Sequence, residues 1–346
     1  MHINVAESRM IPVLVRTAFF GKFPNYWCHL LLMLVLFLVS GSPVAFSQAV
    51  GGHEDTSGSV LVEADTLRVL SYNIRAGRGT DDVYDFRRIA DVIIESRAGL
   101  VALQEVDVGV ERSGGVDIMQ ILADYTGMEP FFFMNTPHQG GEYGNGILSR
   151  YPMADVVNHH LPRVGDSEQR GLMEAVIDVN GAEILFFNTH LDHRPDDAER
   201  LLGVDVILER AGAPEHKGRA VIVAGDLNDI PGSPAYSRIA EYFTDIWDLF
   251  GVGDGYTYHT DNPDRRIDYL FFRNAGDQSG TDRKSDSETD WKQEGEKPDA
   301  EAVKGGHRSG EGQITGYRLR PVSVRVIESV GSDHLPLLGV FVIERF

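Results

Sequence analysis

Regular structure is predicted from residue 67 onwards, where short apolar runs begin to alternate with polar and glycine-rich stretches. Runs of this kind are typical of β-strands. Asn180-Gly181 separates two of them and predicts a hairpin, because both positions of a type I′ turn need positive φ. The predicted strands cover residues 67–72, 100–103, 131–134, 147–148, 174–179, 183–187, 220–224, 267–272, 322–327 and 337–343.

Apolar residues three or four positions apart predict amphipathic helices between these strands. Pro234 predicts a further short helix, since proline is favoured at the first helical position. A mixture of hairpins and helices is typical of α/β or α+β layers with largely antiparallel sheets. The three amphipathic faces consist of Phe86, Ile89 and Ile93; of Ile118, Ile121, Leu122 and Tyr125; and of Leu201, Val204 and Leu208.

The first 47 residues have the pattern of an export signal. Arg9, Arg16 and Lys22 precede an apolar run over residues 30–39, and small residues follow that run. We therefore expect a signal peptide over residues 1–47 and a secreted or periplasmic protein. A retained membrane anchor is the alternative, although a span needs about 20 apolar residues.

Two further segments lack the apolar residues that a core needs. Residues 48–65 are rich in glycine, serine and acids, and are predicted to be a linker before a domain over residues 66–346. Residues 276–316 are rich in charged residues, serine and glycine and interrupt two predicted strands. A loop of this length and composition is expected to be a solvated, disordered insertion.

Net charge and cysteine content exclude several kinds of catalytic and binding site. Cys28 is the single cysteine and lies in the leader, so the exported part has no disulfide, thiol nucleophile or cysteine-rich zinc site. The formal net charge is −20; residues 1–47 carry three basic residues and one acid, which leaves −22 for the remainder. Such a surface repels polyanions, but a local basic cleft or a bridging cation remains compatible with it.

Several predicted strands end in a compact polar group. In layered sheet folds, sites lie at strand ends, so we expect these groups to converge. The side chains are carboxylates, amides and imidazoles, namely Asn73, Glu105, His190, Asp226, Asn228, Asp268, Asp333 and His334.

These residue types fit the hydrolysis of a phosphoester. Carboxylates without cysteine favour a hard cation, Mg²⁺ or Mn²⁺, over zinc. The reaction needs a cation to offset phosphate charge, a group that orients or deprotonates water, and donors for the transition state. Glu105 and Asp333 suit the cation, and Asp226 suits the water.

The neutral and basic side chains suit the phosphate. His190, Asn73 and Asn228 are candidates to contact its oxygens. His334 suits proton transfer or phosphate stabilisation, with Asp268 as the carboxylate that fixes its tautomer. If His334 acts in this way, activity should titrate near neutral pH.

In this order along the chain, these motifs resemble those of the endonuclease/exonuclease/phosphatase superfamily, which includes pancreatic-type deoxyribonucleases, apurinic endonucleases, neutral sphingomyelinases and inositol polyphosphate phosphatases. The resemblance covers about residues 66–346. The matching motifs are Ser71-Tyr72-Asn73-Ile74, Leu103-Gln104-Glu105-Val106, Gly144-Asn145-Gly146-Ile147-Leu148-Ser149, Asn188-Thr189-His190-Leu191, Gly225-Asp226-Leu227-Asn228, Ile267-Asp268-Tyr269 and Ser332-Asp333-His334.

The resemblance implies a four-layered α/β sandwich with two central, largely antiparallel sheets flanked by helices, and a metal-dependent phosphoric ester hydrolase. The resemblance also implies a role for each residue. Glu105 would be the principal metal ligand, Asp333 would lie near the metal, and Asn73 would lie beside the metal and the phosphate. His190 would contact the scissile phosphate, Asp226 and Asn228 would position the water, Asp268 would orient His334, and Asn145 would support the site. The insertion between Asp268 and Asp333 departs from the family pattern. Both flanking motifs are intact, so the resemblance extends to the centre of the site but not to its rim.

Other interpretations stay open at this stage. Arg112 and Arg170 are further candidates to bind a substrate phosphate through a fork of donors. The 189–193 stretch is similar to part of a zinc-hydrolase pattern, but Asn188 replaces its first histidine and so removes a ligand.

A catalytically silent binding module is the alternative to an enzyme. The substrate remains a nucleic acid, a phospholipid or sphingolipid head group, or a sugar phosphate, and we expect a monomer without a protein partner.

Overall fold

The computed structural model describes residues 65–277 and 316–346. The predicted leader, the linker up to residue 64 and nearly all of the 276–316 insertion lie outside the described residues. No helix within the described ranges is long and apolar enough to cross a membrane.

Twelve strands in the described residues form two mixed sheets of six. Each predicted run overlaps one strand, but several strands extend up to six residues beyond the run, and two short or polar strands were not predicted. The strands are β1 (Asp65–Asn73), β2 (Leu100–Val108), β3 (Glu129–His138), β4 (Gly141–Ser149), β5 (Met153–His160), β6 (Gly171–Val179), β7 (Ala182–His190), β8 (Ala220–Asp226), β9 (Thr244–Asp245), β10 (Asp268–Arg273), β11 (Tyr317–Val326) and β12 (Leu337–Arg345).

Each sheet has one parallel pair at its centre and antiparallel neighbours elsewhere. The first sheet has the order β11-β12-β1-β2-β4-β3, and β1 and β2 are parallel. The second has the order β5-β6-β7-β8-β10-β9, and β7 and β8 are parallel. In the predicted hairpin between β6 and β7, Asn180 and Gly181 have φ of 54° and 90°, which confirms the turn prediction.

Helices cover the outer face of each sheet, and one short helix contributes Ile246 to the core between the sheets. Asp85, Asp117, Ser233 and Asp245 accept hydrogen bonds from first-turn backbone amides and so begin four of the helices. The helices are α1 (Phe86–Ser96), α2 (Ile118–Thr126), α3 (Ala198–Ala211), α4 (Pro234–Ala240) and α5 (Ile246–Phe250).

Three apolar cores separate the layers and give the predicted four-layered sandwich. The central core lies between the sheets and contains Leu67, Ile147 and Phe186. A second core joins α1 and α2 to the first sheet, and a third joins α3 and α4 to the second sheet. The carboxyl ends of the two parallel pairs carry Asn73, Glu105, His190 and Asp226, as expected for a site at strand ends.

Candidate active site

A polar pocket of about 420 Å³ lies at these strand ends. It brings together side chains from both sheets and from the loops that follow them. Of the residues proposed from the sequence, those that line it are Glu105, Arg170, His190, Asp226, Asn228, Asp333 and His334.

Asn73 joins the two halves of the site. Its side chain is fully buried, and its Nδ2 donates to Glu105 Oε1 at 3.1 Å and to Asp226 Oδ2 at 3.0 Å. Glu105 lies where the register between β2 and β4 shifts and has φ of 56°. A bulge of this kind turns a side chain out of its regular alternation, and here it presents the carboxylate to the pocket.

A glycine lets β7 and β8 approach closely enough to place Asp226. Gly225 has φ of 150°, and a Cβ there would lie 2.1 Å from the Thr189 carbonyl oxygen. The next position pairs His190 with Asp226 across the parallel ladder. Asp226 Oδ1 then accepts from the Asn228 amide at 2.7 Å, which fixes the turn after β8.

His190 is enclosed by polar groups and only 3% exposed. Its Nδ1 lies 3.1 Å from Arg170 Nη1, and its Nε2 lies 2.9 Å from Asn228 Nδ2 and 3.6 Å from Asp226 Oδ2. Burial lowers the pKa of His190 well below its usual value, and the nearby Arg170 charge acts in the same direction. His190 is therefore neutral at physiological pH.

His334 has the opposite environment. Its Nδ1 lies 2.9 Å from Asp268 Oδ2, and its Nε2 lies 3.7 Å from Asp226 Oδ2. Burial by itself lowers the pKa of His334, but the Asp268 and Asp226 carboxylates outweigh burial and raise the pKa to about 10. At neutral pH, His334 is an imidazolium ion facing Asp226, and it is not the group that titrates there.

The Asp226 carboxyl has a pKa raised from 3.8 to about 7 in the folded protein. Burial raises the pKa of its carboxyl, repulsion from Asp268 adds to that rise, and His334 opposes it. A carboxylate with a raised pKa is a stronger base than a solvated one, which suits it to take a proton from water. The near-neutral titration that the sequence attributed to His334 is therefore expected from Asp226.

The oxygen donors fit a hard cation. Asp226, Asp268 and His334 form, among the described residues, the group of three candidate ligands with atoms within 4.8 Å of one another. Two of these three are joined by the His334–Asp268 bond, so we assign the trio to proton chemistry. Glu105 and Asp333 also line the pocket. Carboxylates with water and substrate oxygens are the usual ligands of a hard cation, and Glu105 and Asp333 each offer one carboxylate to the pocket.

Three residues that the sequence proposed for phosphate contact or for support of the site, Asn73, Arg112 and Asn145, do not line the pocket. Arg112 is held by Asp107 through two bonds of 2.8 Å. Asn145 is buried and donates to the Gly171 carbonyl at 3.3 Å. Asn145 thus braces β4 against β6, whereas phosphate binding by Arg112 stays a prediction.

The pocket also contains residues that the sequence did not identify. Tyr258 packs its ring 4.8 Å from the His334 ring and lines the opening. Arg265 lies 5.2 Å over the Tyr258 ring. Because Arg265 comes three residues before Asp268, its closeness to a predicted site motif could have identified it as a pocket residue. No motif in the sequence around Tyr258 indicated that this residue lies in the pocket.

Comparisons with known proteins agree with this architecture. Residues 70–334 match the model of the Endonuclease/Exonuclease/phosphatase family. The curated protein YbhP of Escherichia coli (strain K12), described as uncharacterized, is 25% identical over 222 residues, which are 61% of this chain and 86% of YbhP.

Solved structures share the fold at low sequence identity. An endonuclease/exonuclease/phosphatase from Beutenbergia cavernae superimposes with a TM-score of 0.56 at 22% identity, over 81% of this chain and 72% of that chain. Humanized Danio rerio TDP2 gives 0.55 at 18%, over 80% and 98%. A mannosyl-6-phosphatase from Bacteroides thetaiotaomicron gives 0.55 at 15%, over 81% and 99%. With the family match covering most of the chain, this protein belongs to the endonuclease/exonuclease/phosphatase family.

Proposed function

We propose that this protein is a Mg²⁺-dependent phosphoesterase that hydrolyses its substrate by in-line attack of water. One observation carries the proposal: a buried carboxylate with a raised pKa, Asp226, lies between a neutral and a cationic histidine in one pocket. That arrangement supplies a base and two kinds of hydrogen-bond donor around a single reacting group. Family membership supports the same reaction class.

Each side chain then has a distinct task. Asp226 accepts the proton of the attacking water, and Asn73 orients this carboxylate through its amide. The imidazolium of His334, held by Asp268, stabilises negative charge as it develops on the phosphoryl group. His190 and Asn228 donate neutral hydrogen bonds to the phosphate oxygens.

Glu105 and Asp333 are the proposed metal ligands. Mg²⁺, or Mn²⁺ in its place, would supply a positive charge that offsets the non-bridging oxygens of the substrate. Arg75 Nε lies 3.3 Å from Asp333 Oδ2, so this carboxylate also forms an ion pair.

The proposed substrates are phosphoesters outside the cytoplasm, in keeping with the export signal predicted over residues 1–47. TDP2 has been solved with a single-strand DNA product, and another structural neighbour is a mannosyl-6-phosphatase. Nucleic acids, phospholipid or sphingolipid head groups and sugar phosphates are therefore the classes to be compared.

The test follows nitrophenol release from bis(p-nitrophenyl) phosphate by the purified protein, with Mg²⁺ or Mn²⁺ and then with excess EDTA. His334→Ala is compared with His160→Ala, because His160 is exposed and does not line the pocket. We expect turnover that needs metal, survives in His160→Ala and is lost in His334→Ala. A turnover rate that is unchanged by EDTA and unchanged in His334→Ala would contradict the proposal. DNA, sphingomyelin, and inositol or sugar phosphates would then identify the substrate class.

A further inference from the structure

Arg170 is an arginine buried beside the reacting groups, directly before β6. The residue is 5% exposed, although it lines the pocket. Its Nη1 lies 2.9 Å from Glu168 Oε1 in an ion pair and 3.1 Å from His190 Nδ1, while its Nη2 lies 3.2 Å from His193 Nδ1. Its Nε is buried without a hydrogen-bond partner. The guanidinium thus contacts two imidazoles, the Glu168 carboxylate and the Tyr143 side chain.

The chemistry of arginine fixes the direction of these contacts. A guanidinium carries only donors and stays protonated in proteins. The imidazole nitrogen that faces it must therefore accept. A neutral histidine has one ring proton, so a His190 that accepts at Nδ1 carries that proton on Nε2.

The Nε2 side of His190 faces the reacting groups. Asp226 Oδ2 lies 3.6 Å from this nitrogen and Asn228 Nδ2 lies 2.9 Å from it. Asn228 Nδ2 also donates to the Leu191 carbonyl at 3.1 Å. Two donors, from Arg170 and Asn228, thus compete for one neutral ring. Since arginine cannot become an acceptor, the Asn228 contact is the one that is replaced when a phosphate oxygen accepts a hydrogen bond from the Nε2–H group.

We infer that Arg170 is a positioning residue that holds His190 as the Nε2–H tautomer and so directs a neutral hydrogen-bond donor at the substrate. The inference rests on the proposed phosphoesterase function and assigns Arg170 a different task from direct phosphate binding. Direct binding would lower the Michaelis constant through contact with the ground state. Positioning instead affects the step in which charge develops, because His190 donates most strongly then.

The experiment reads the tautomer directly. Long-range ¹H–¹⁵N spectra of the ¹⁵N-histidine-labelled protein at neutral pH distinguish a protonated from an unprotonated ring nitrogen, and His190→Gln assigns the resonance. The variants are Arg170→Met, which removes the donor, and Glu168→Gln, which removes the negative charge beside the same guanidinium and leaves His190 unchanged. The kcat and KM values with bis(p-nitrophenyl) phosphate are measured for each, and circular dichroism checks folding.

We expect His190 of the wild type to be protonated at Nε2 and unprotonated at Nδ1, and Glu168→Gln to keep that pattern. Arg170→Met should shift population to the Nδ1–H form and lower kcat by about 10²-fold, with KM changed by less than about threefold. Arg170→Lys, which keeps a cationic donor, should recover part of both.

Three results would overturn the inference: a wild-type His190 protonated at Nδ1, an Arg170→Met spectrum and kcat that match the wild type, or a rise in KM at unchanged kcat. The last result would assign Arg170 to phosphate binding. If Arg170→Met does not fold, the wild-type spectrum alone decides. If the wild type turns over no phosphoester, the proposed function fails, and the same spectra still test how Arg170 acts on His190.

Discussion

At the scale of single residues, the site separates two histidines that look alike in the sequence. His190 meets a guanidinium at Nδ1, whereas His334 meets the Asp268 carboxylate. The first contact favours a neutral ring, and the second favours a charged one. Residue types at strand ends were sufficient to predict which side chains meet, but not their protonation. Protonation depends on burial and on partners from distant parts of the chain, such as Arg170.

Asp268→Asn should weaken the reaction by removing the charge that keeps His334 protonated. We expect kcat/KM to fall by about 10²-fold or more, because the amide neither stabilises the imidazolium nor fixes its tautomer. The alkaline limb of the pH profile should also move to lower pH, since the pKa of His334 is raised to about 10 mainly by this carboxylate. Asp205→Asn, which changes an exposed partner of Arg238, is the control. An unchanged alkaline limb in Asp268→Asn would refute this assignment.

The same pair predicts how stability depends on pH. The folded pKa of His334 is raised from 6.5 to about 10, so its stabilisation is fully present below pH 6.5 and is lost as pH rises towards 10. Through His334 alone, the folded state binds up to one more proton than the unfolded state in this window. The free energy of unfolding should therefore fall with pH by up to about 1.4 kcal/mol per unit.

Urea unfolding in EDTA between pH 6 and 10 measures this slope. His334→Gln, which cannot titrate, should remove most of it. A slope that persists in His334→Gln would mean that other groups cause it.

At the scale of elements, periodicity was enough for the strands and helices with a continuous apolar face. The strand β5 was missed because it is an edge strand rich in polar residues, including Asn158 and His160. The strand β9 and the helix α5 have two and five residues, too few to show a period. Both elements depend on tertiary contacts. Asp245, which ends the strand and caps the helix, forms a buried ion pair with Arg266.

Gly225→Ala should disrupt the β7–β8 ladder at the site. The new Cβ would lie 2.1 Å from the Thr189 oxygen, and backbone of a paired strand cannot move aside without cost. We expect a loss of about 2–4 kcal/mol in the free energy of unfolding. Gly218→Ala is the matched control: it also has positive φ, at 89°, but its Cβ meets nothing within 4 Å, so about 1 kcal/mol is expected. Urea denaturation compares the two, and equal losses would contradict the steric argument.

At the scale of the whole molecule, charge opposes the binding of polyanions. The net charge is −20, and the pocket concentrates its own carboxylates. Raising NaCl at fixed Mg²⁺ should therefore increase kcat/KM for DNA up to about 0.15 M, because screening weakens the repulsion. Turnover of bis(p-nitrophenyl) phosphate, which carries a single charge, should change little. A monotonic fall for DNA would instead reveal a basic surface that dominates binding.

The central claim is that Asp226 activates water in a metal-dependent hydrolysis. The most direct measurement is the turnover of bis(p-nitrophenyl) phosphate by wild type and by the isosteric Asp226→Asn, each with Mg²⁺ and with EDTA. Our account predicts metal-dependent turnover in the wild type and a loss of about 10²–10⁴-fold in kcat for a folded Asp226→Asn. Wild-type activity that persists in Asp226→Asn, or that is indifferent to EDTA, would contradict it.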